Sequence, residues 1–375
     1  MAERLILHVG PRKTGSTYLQ SILWGNPGRL ADQGFFVPLD SPRAQSLALS
    51  VEGSASHSDE SERLRRDLLA EIASRPGTAI ISSEVLSGWR VGDIRAFMAG
   101  LPDVRSEVVF GVRDLPRQIP AEWQQRVRAR SSLSYPDWLA TVRDQPDHAF
   151  WFAHDPERLI GRWRRTVAEE RIHAVIVPNA ASGHEKLWHR FAEATGLDPD
   201  HFDLPEGRLN GSLGIVQTDL LRRVNGALGD SFPRPEPYHR VVITSLTNSA
   251  LLGVPDAERV VLPEADREWV SERQAAVIGA LQARWGQVFG DPEELAWDPP
   301  SAVSHSMTVT DGELADEAVR VIVRMLHHIE KTNAEAEHTH SMQLRRNARL
   351  RARLQAGPRH SLSRTLRRLM ARVRR

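Results

Sequence analysis

The chain of 375 residues contains no cysteine. Disulfides, thiolate zinc sites, iron–sulfur clusters and a cysteine nucleophile are therefore excluded. No apolar run approaches the ~18 residues that a membrane-spanning helix needs. The opening stretch Met1-Ala-Glu-Arg-Leu-Ile-Leu-His-Val-Gly10 lacks the basic and then long apolar pattern of a secretory signal, so the cytoplasm is the expected compartment. Lysine is scarce: Lys13, Lys186 and Lys331 are the only three among 49 Lys and Arg residues. Arginine is the habit of this chain, which draws attention to Lys13. No compact ligand set such as His-Glu-x-x-His is present, so no metal is expected.

The remaining composition is that of an ordinary globular protein, 41% hydrophobic and 26% charged. The length allows one large domain or two. The net charge of +1 hides an asymmetry, because residues 341–375 hold 12 arginines and no acid. Without them, 37 basic side chains face 48 acidic ones, a formal charge of −11. An acidic body with a basic tail points to an anionic surface as the tail's partner.

Four short apolar runs read as buried strands: residues 5–9, 78–82, 108–112 and 172–177. Helical patterns separate them, over 16–30, 62–74, from 93, 116–128, from 135, 158–167 and 185–195. This alternation predicts an α/β fold, a mostly parallel sheet with helices on both faces. Residues 213–228 read as helix, 229–265 as irregular, and 265–289 as one long helix. Residues 291–306 read as a linker. Residues 311–354 read as helical, weakest at 337–341, and 361–375 as a short basic helix. The expected division is an α/β domain over 1–300 and a helical extension over 301–375.

The stretch Gly10-Pro-Arg-Lys-Thr-Gly-Ser-Thr17 lies between a strand and a helix start. Such a turn aims backbone N–H groups and the helix dipole at one point. Lys13 adds a full charge, and Thr14, Ser16 and Thr17 add hydroxyls. This is a cradle for phosphate or sulfate; the plain alternative is a capped strand-to-helix turn. It is not the Gly-x-x-x-x-Gly-Lys-[Ser/Thr] loop of ATPases, because its lysine precedes the second glycine.

Lys-Thr-Gly-Ser-Thr followed by Tyr-Leu-Gln resembles the 5′-phosphosulfate loop of the sulfotransferase superfamily. Val112-Arg113-Asp114-Leu-Pro-Arg117 is similar to that family's 3′-phosphate segment. Supporting likenesses lie at Asp155, Leu159 and Trp163, at Leu187-Trp188-His-Arg-Phe191, and at Arg208-Leu-Asn210-Gly-Ser212. The family commonly has serine eight residues after the arginine, where this chain has Ala121. The resemblance covers about residues 4–225. It implies a P-loop-type three-layer sandwich with a central parallel sheet, here with a helical C-terminal extension. It implies 3′-phosphoadenosine 5′-phosphosulfate (PAPS) as co-substrate and no required metal. Arg12, Lys13, Thr14, Gly15, Ser16, Thr17, Arg113, Asn210 and Ser212 would bind PAPS, and Lys13 would also act in catalysis. The acceptor would be a hydroxyl or amine of a glycan, glycolipid or small metabolite. A kinase-like phosphoryl transferase and a non-catalytic adenine-nucleotide-binding protein remain as alternatives.

Sulfuryl transfer also needs a group to take the acceptor's proton. Glu84 follows the second strand directly, at the end of the sheet where the cradle opens; it could instead cap the next turn or pair with Arg90. His8, inside the first strand, reads as a core residue, and His154 beside Asp155 is the weaker candidate. Trp123 could line the site. Arg126, Arg128 and Arg130 could receive an anionic acceptor or form a solvated helix face. The tail over 341–375 combines arginines with Leu344, Leu350, Leu354, Leu362, Leu366 and Leu369. It is expected to lie on an anionic membrane surface or to dock on the acidic body of this or another subunit. Nucleic acid is the less expected partner.

Overall fold

The computed structural model describes residues 1–355 apart from 55–56, 102, 180–182, 206–210, 256, 285–286 and 297–306. The chain groups into two compact units, Met1–Gly229 with Gly253–Asp311, and Asp230–Leu252 with the chain from Gly312 onward.

The first unit begins with β1 (Arg4–Val9), α1 (Ser16–Gly25), α2 (Pro27–Asp32), β2 (Phe35–Phe36), α3 (Pro42–Ala48) and α4 (Asp59–Ser74). β3 (Thr78–Ser83) runs into a 3₁₀ turn over Glu84–Gly88, then α5 (Val91–Ala99) and β4 (Arg105–Val112). Four helices follow: α6 (Leu115–Arg128), α7 (Tyr135–Asp144), α8 (Ala149–His154) and α9 (Pro156–Trp163). β5 (Ile172–Ile176), α10 (Glu185–Thr195) and α11 (Ile215–Leu228) come next. The second unit takes α12 (Pro235–Tyr238) and a π-helix over His239–Leu251. The first unit resumes with α13 (Arg267–Arg284) and β6 (Val288–Phe289). From Gly312 on, α14 (Asp311–Gln355) belongs to the second unit.

The six strands form one sheet in the order β2-β3-β1-β4-β5-β6, every neighbouring pair parallel. Side chains alternate across it because the strand period is two residues. Leu5, Leu7 and Val9 of β1 face one way, with Ile81, Phe110, Leu68, Ile72, Trp89, Ile94 and Trp163. Ile6 faces the other, with Ile80, Val109, Leu19, Ile22, Leu187, Trp188 and Phe191. Both faces are thus covered by helices, as a buried parallel sheet requires. This is the expected α/β fold with a central parallel sheet and a helical C-terminal extension.

The departures have local causes. The helix expected over 16–30 is two, because Pro27 cannot supply an amide N–H or tolerate the preceding turn. Asn26 fills the break, its Nδ2 donating to Ile22 O at 2.9 Å. The helix expected over 265–289 ends at Arg284, and Val288–Phe289 instead pairs with β5 as an edge strand. Residues 239–251, expected to be irregular, are π-helical. The weak stretch 337–341 is continuous helix. The short helix expected over 361–375 lies outside the described residues. Trp138, Trp163 and Trp188 are core residues, as expected, and Trp123 is buried with them.

Candidate functional site

β1 lies between β3 and β4, and the chain leaving β1 packs α1 on the face of Ile6 while the chain leaving β3 packs α5 on the face of Leu7, so the two connections part at the strands' carboxyl ends. Such a switch point opens the crevice where α/β folds place ligands. The 10–17 loop sits there. Gly10 stops β1, and a Cβ at this position would lie 2.3 Å from Ser16 Oγ. Lys13 (φ 67°) and Gly15 (φ 89°) are left-handed, which turns the chain sharply into α1. Gly15 caps that helix, its carbonyl accepting from Tyr18 N and Leu19 N at 3.0 and 3.2 Å. Thr14 is buried, and its hydroxyl donates to Pro11 O at 2.6 Å, so it braces the turn. Ser16 Oγ is buried with no hydrogen-bond partner among the described residues. Thr17 and Arg12 are exposed, and Lys13 is half-buried.

Arg113 follows β4 and meets this loop. Its Nη1 donates to Lys13 O at 2.9 Å, one of the five N–H donors a guanidinium carries. Gly111 of β4 leaves room for the loop: a Cβ there would lie 2.9 Å from Thr14 Cβ. Burial, with Arg117 adding repulsion and Asp114 opposing it, holds the Arg113 guanidinium at about 10. Burial and then the Arg128 charge push the Lys13 ammonium down, with Arg113 acting the same way and Glu84 and Glu122 opposing. Two cations whose charged forms burial disfavours gain from a bound anion.

Glu84 opens the 3₁₀ turn after β3 and is half-buried. Ser83, not Glu84, caps that turn, its Oγ accepting from Val85 N at 3.3 Å. Glu84 Oε2 instead stands 3.9 Å from Arg12 Nε. Burial raises its pKa, and Arg12 and Lys13 offset that only in part. The structure therefore brings Arg12, Lys13, Glu84 and Arg113 into one neighbourhood.

Three more residues belong to this neighbourhood and carry no motif. Gln118 Nε2, on α6, donates to Arg12 O at 2.7 Å and lies 3.2 Å from His154 Nδ1. A carbonyl only accepts, so the amide nitrogen must face it, and Nδ1 must then be the acceptor. The ring proton is left on Nε2, which faces the buried Glu122 Oε2 at 3.7 Å. Burial alone would raise Glu122, but His154, Arg12 and Arg126 outweigh it and hold the carboxyl below its usual range. Gln118 and Glu122 are four apart on one helix, a spacing that puts them on one face. Their partner His154 arrives only through tertiary packing.

His8 is a core residue: its Nδ1 is 2.7 Å from Ser82 Oγ, its ring meets Phe191 edge-on, and burial lowers its pKa to about 4. Trp123 does not line the site; its Nε1 donates to Leu133 O at 3.0 Å and its ring packs on Tyr135. Arg126 lies 3.6 Å from Glu122 and over the Trp138 ring, so α6 does not present a simple solvated face here. Ala121 is half-buried. Ser212 is exposed, two residues before Gly214, which occupies the cap position of α11. Asn210 lies outside the described residues. Among the described residues, no group of three His, Asp or Glu is arranged to hold a metal, and no helix is long and apolar enough to cross a membrane.

No family model and no curated protein matches the chain. Two solved structures overlap it loosely. One is a sulfotransferase from Alicyclobacillus acidocaldarius, 15% identical, with a TM-score of 0.38, covering 63% of this chain and 98% of that one. The other is a sulfotransferase domain from the curacin biosynthetic pathway, 13% identical, with a TM-score of 0.32, covering 56% of this chain and 81% of that one. Overlaps this loose speak neither to activity nor to ligand.

Proposed function

We propose that the chain is a sulfotransferase that moves the sulfuryl group of PAPS to a hydroxyl or amine. The observation that carries this reading is the 10–17 loop: a left-handed turn at the sheet's switch point, with an unmet buried hydroxyl at Ser16 and the Lys13 and Arg113 cations brought together by the bond from Arg113 Nη1 to Lys13 O. These residues fit an anion with a second charged end. PAPS supplies the sulfuryl group, and negative charge grows on its 5′-phosphate as the group leaves.

Lys13 and the N–H groups at the start of α1 would meet that growing charge, where preorganised donors are most effective. Arg113, with Arg12, would hold the remote 3′-phosphate as a positioning clamp. Gly15, Ser16 and Thr17 would line the cradle, while Thr14 shapes it from within. Glu84 would take the acceptor's proton as the new bond to sulfur forms and the bond from sulfur to the phosphate oxygen breaks. A raised carboxyl pKa suits a base, whereas His154 Nδ1 is bonded to Gln118 and its Nε2 faces the buried Glu122 at 3.7 Å. This scheme needs no metal. A glycan, glycolipid or small metabolite would serve as acceptor.

Thermal-shift titration with 3′-phosphoadenosine 5′-phosphate, ATP with and without magnesium, and GTP tests the reading. The bisphosphate should stabilise the chain most, and Lys13→Ala should remove the effect. Preference for ATP with magnesium would overturn the reading in favour of a phosphoryl transferase. Tight bisphosphate binding without sulfuryl transfer to any of a broad acceptor panel would leave only a nucleotide-binding protein.

A further inference from the structure

α14 runs for 45 residues, about 67 Å at 1.5 Å per residue. Leu314, Glu317 and Val321 are buried on one side of its first turns. The other side carries Val319, Ile322, Val323, Leu326 and Ile329, each between 46% and 62% exposed. Four of these recur at spacings of three, four and three, the seam of a two-stranded coiled coil. From Glu330 to Ala352 every residue except Ser341 is exposed, so this half of the helix is open on all sides. A polar helix standing alone in water is marginal, because helices draw most of their stability from packing.

Charge indicates what covers it. Residues 311–337 contain seven acids (Asp311, Glu313, Asp316, Glu317, Glu330, Glu335 and Glu337) against Arg320, Arg324 and Lys331. Residues 338–355 contain five arginines and no acid. One half is therefore −4 and the other +5. Laid parallel on a copy of itself, the helix would set arginine against arginine at its basic end, with Arg346 facing Arg351. Laid antiparallel, the acidic first turns with Asp311, Glu313, Asp316 and Glu317 meet the basic half, while Glu330 and Glu337 face each other near the centre. The same seam then places Val319 against Leu350 of the second copy, Val323 against Leu344 and Asp316 against Arg351. Leu344 and Leu350 of the basic half thereby gain apolar partners, while Met342 lies off the seam and Ile322, Leu326 and Ile329 meet Asn347, Gln343 and His340.

We propose that α14 is a dimerisation helix that pairs antiparallel with α14 of a second copy of this chain. The pairing is independent of the reaction at the 10–17 loop. In this register the exposed Arg351 is matched by Asp316 of the second copy, so it needs neither a membrane nor nucleic acid.

The absence of cysteine makes the test direct. Val319→Cys and Leu350→Cys chains, purified separately, are mixed under mild oxidation. Antiparallel pairing predicts crosslinks between the two variants and few within either alone. Crosslinking of Val319→Cys with itself would overturn the antiparallel arrangement. Sedimentation velocity of the full chain should show a dimer that weakens as salt rises, since screening loosens the charge match. The double variant Ile322→Asp, Leu326→Asp should dissociate at least about tenfold more readily. Both positions are exposed, and an unchanged melting transition would show that the rest of the chain still folds. A chain that stays monomeric throughout, including one that sediments with anionic phosphatidylserine vesicles, would overturn the proposal.

Discussion

Gly15→Ala isolates what the turn into α1 demands. Gly15 has φ 89°, and a Cβ placed there would lie 2.3 Å from Leu187 Cδ2. A left-handed alanine costs about 1–2 kcal/mol. The overlap costs about 1–3 kcal/mol more, as other overpacked sites do. Leu187 is 2% exposed and packs with α1 against the sheet, so it cannot swing into solvent. The expected loss is about 2–5 kcal/mol, or roughly 4–20 °C in melting temperature at the 2–4 °C per kcal/mol of larger domains. Leu187→Ala should itself cost about 2–5 kcal/mol by leaving a cavity. In that background the clash is gone, and Gly15→Ala should cost only its backbone share, about 1–2 kcal/mol. Denaturant unfolding of the four chains gives the coupling, expected at about 1–3 kcal/mol, well above the ~0.5 kcal/mol scatter of independent sites. Additive losses would refute the contact, and a Gly15→Ala loss below about 1 kcal/mol would refute the strain.

His8 has a folded pKa of about 4 against an ordinary 6.5, so the unfolded chain binds the proton first as pH falls. Stability should therefore drop between pH 6.5 and 4, by about 3 kcal/mol in all; urea unfolding of His8→Gln should show that slope largely removed. Calorimetry with 3′-phosphoadenosine 5′-phosphate should find affinity cut by Lys13→Ala and by Arg113→Ala, with turnover of bound PAPS lowered further only for Lys13→Ala. Glu84→Gln should keep that affinity and lower kcat by roughly 10²–10⁴, the usual worth of a general base. Normal turnover in Glu84→Gln with a dead His154→Gln would transfer the role to the histidine.

The four long strands were legible because β1, β3, β4 and β5 each hold a short stretch rich in branched apolar residues, bounded by a turn or a helical pattern. The edge strands Phe35–Phe36 and Val288–Phe289 were not, since two residues carry no periodicity. The 10–17 loop was legible from local chemistry and Arg113 only from the resemblance of its segment to a family motif, and their meeting followed from two strands ending at one edge of a sheet. What the sequence concealed was the link through Gln118, because an amide on a helix reads as surface until a backbone carbonyl 106 residues away is brought to it. Glu122 was hidden for a related reason. Beside Arg126 it looks like a solvated helix pair, and only the arrival of His154 makes it a buried charge.

The central position of β1 has a consequence for how the molecule assembles. Leu5 pairs with Ala79 on one side and Ser106 on the other, so the strand that launches the 10–17 loop has no local partner. Each pairing closes a long stretch of chain before it returns any contact, and topologies of this kind fold slowly. The loop's geometry depends on both neighbours, with Arg113 beyond β4 bonded to Lys13 and Glu84 beyond β3 facing Arg12. Anion affinity should therefore appear late during refolding and in one step, once β4 has docked. A fragment of residues 1–111 would contain every residue of the loop, lack Arg113, and still have no cradle.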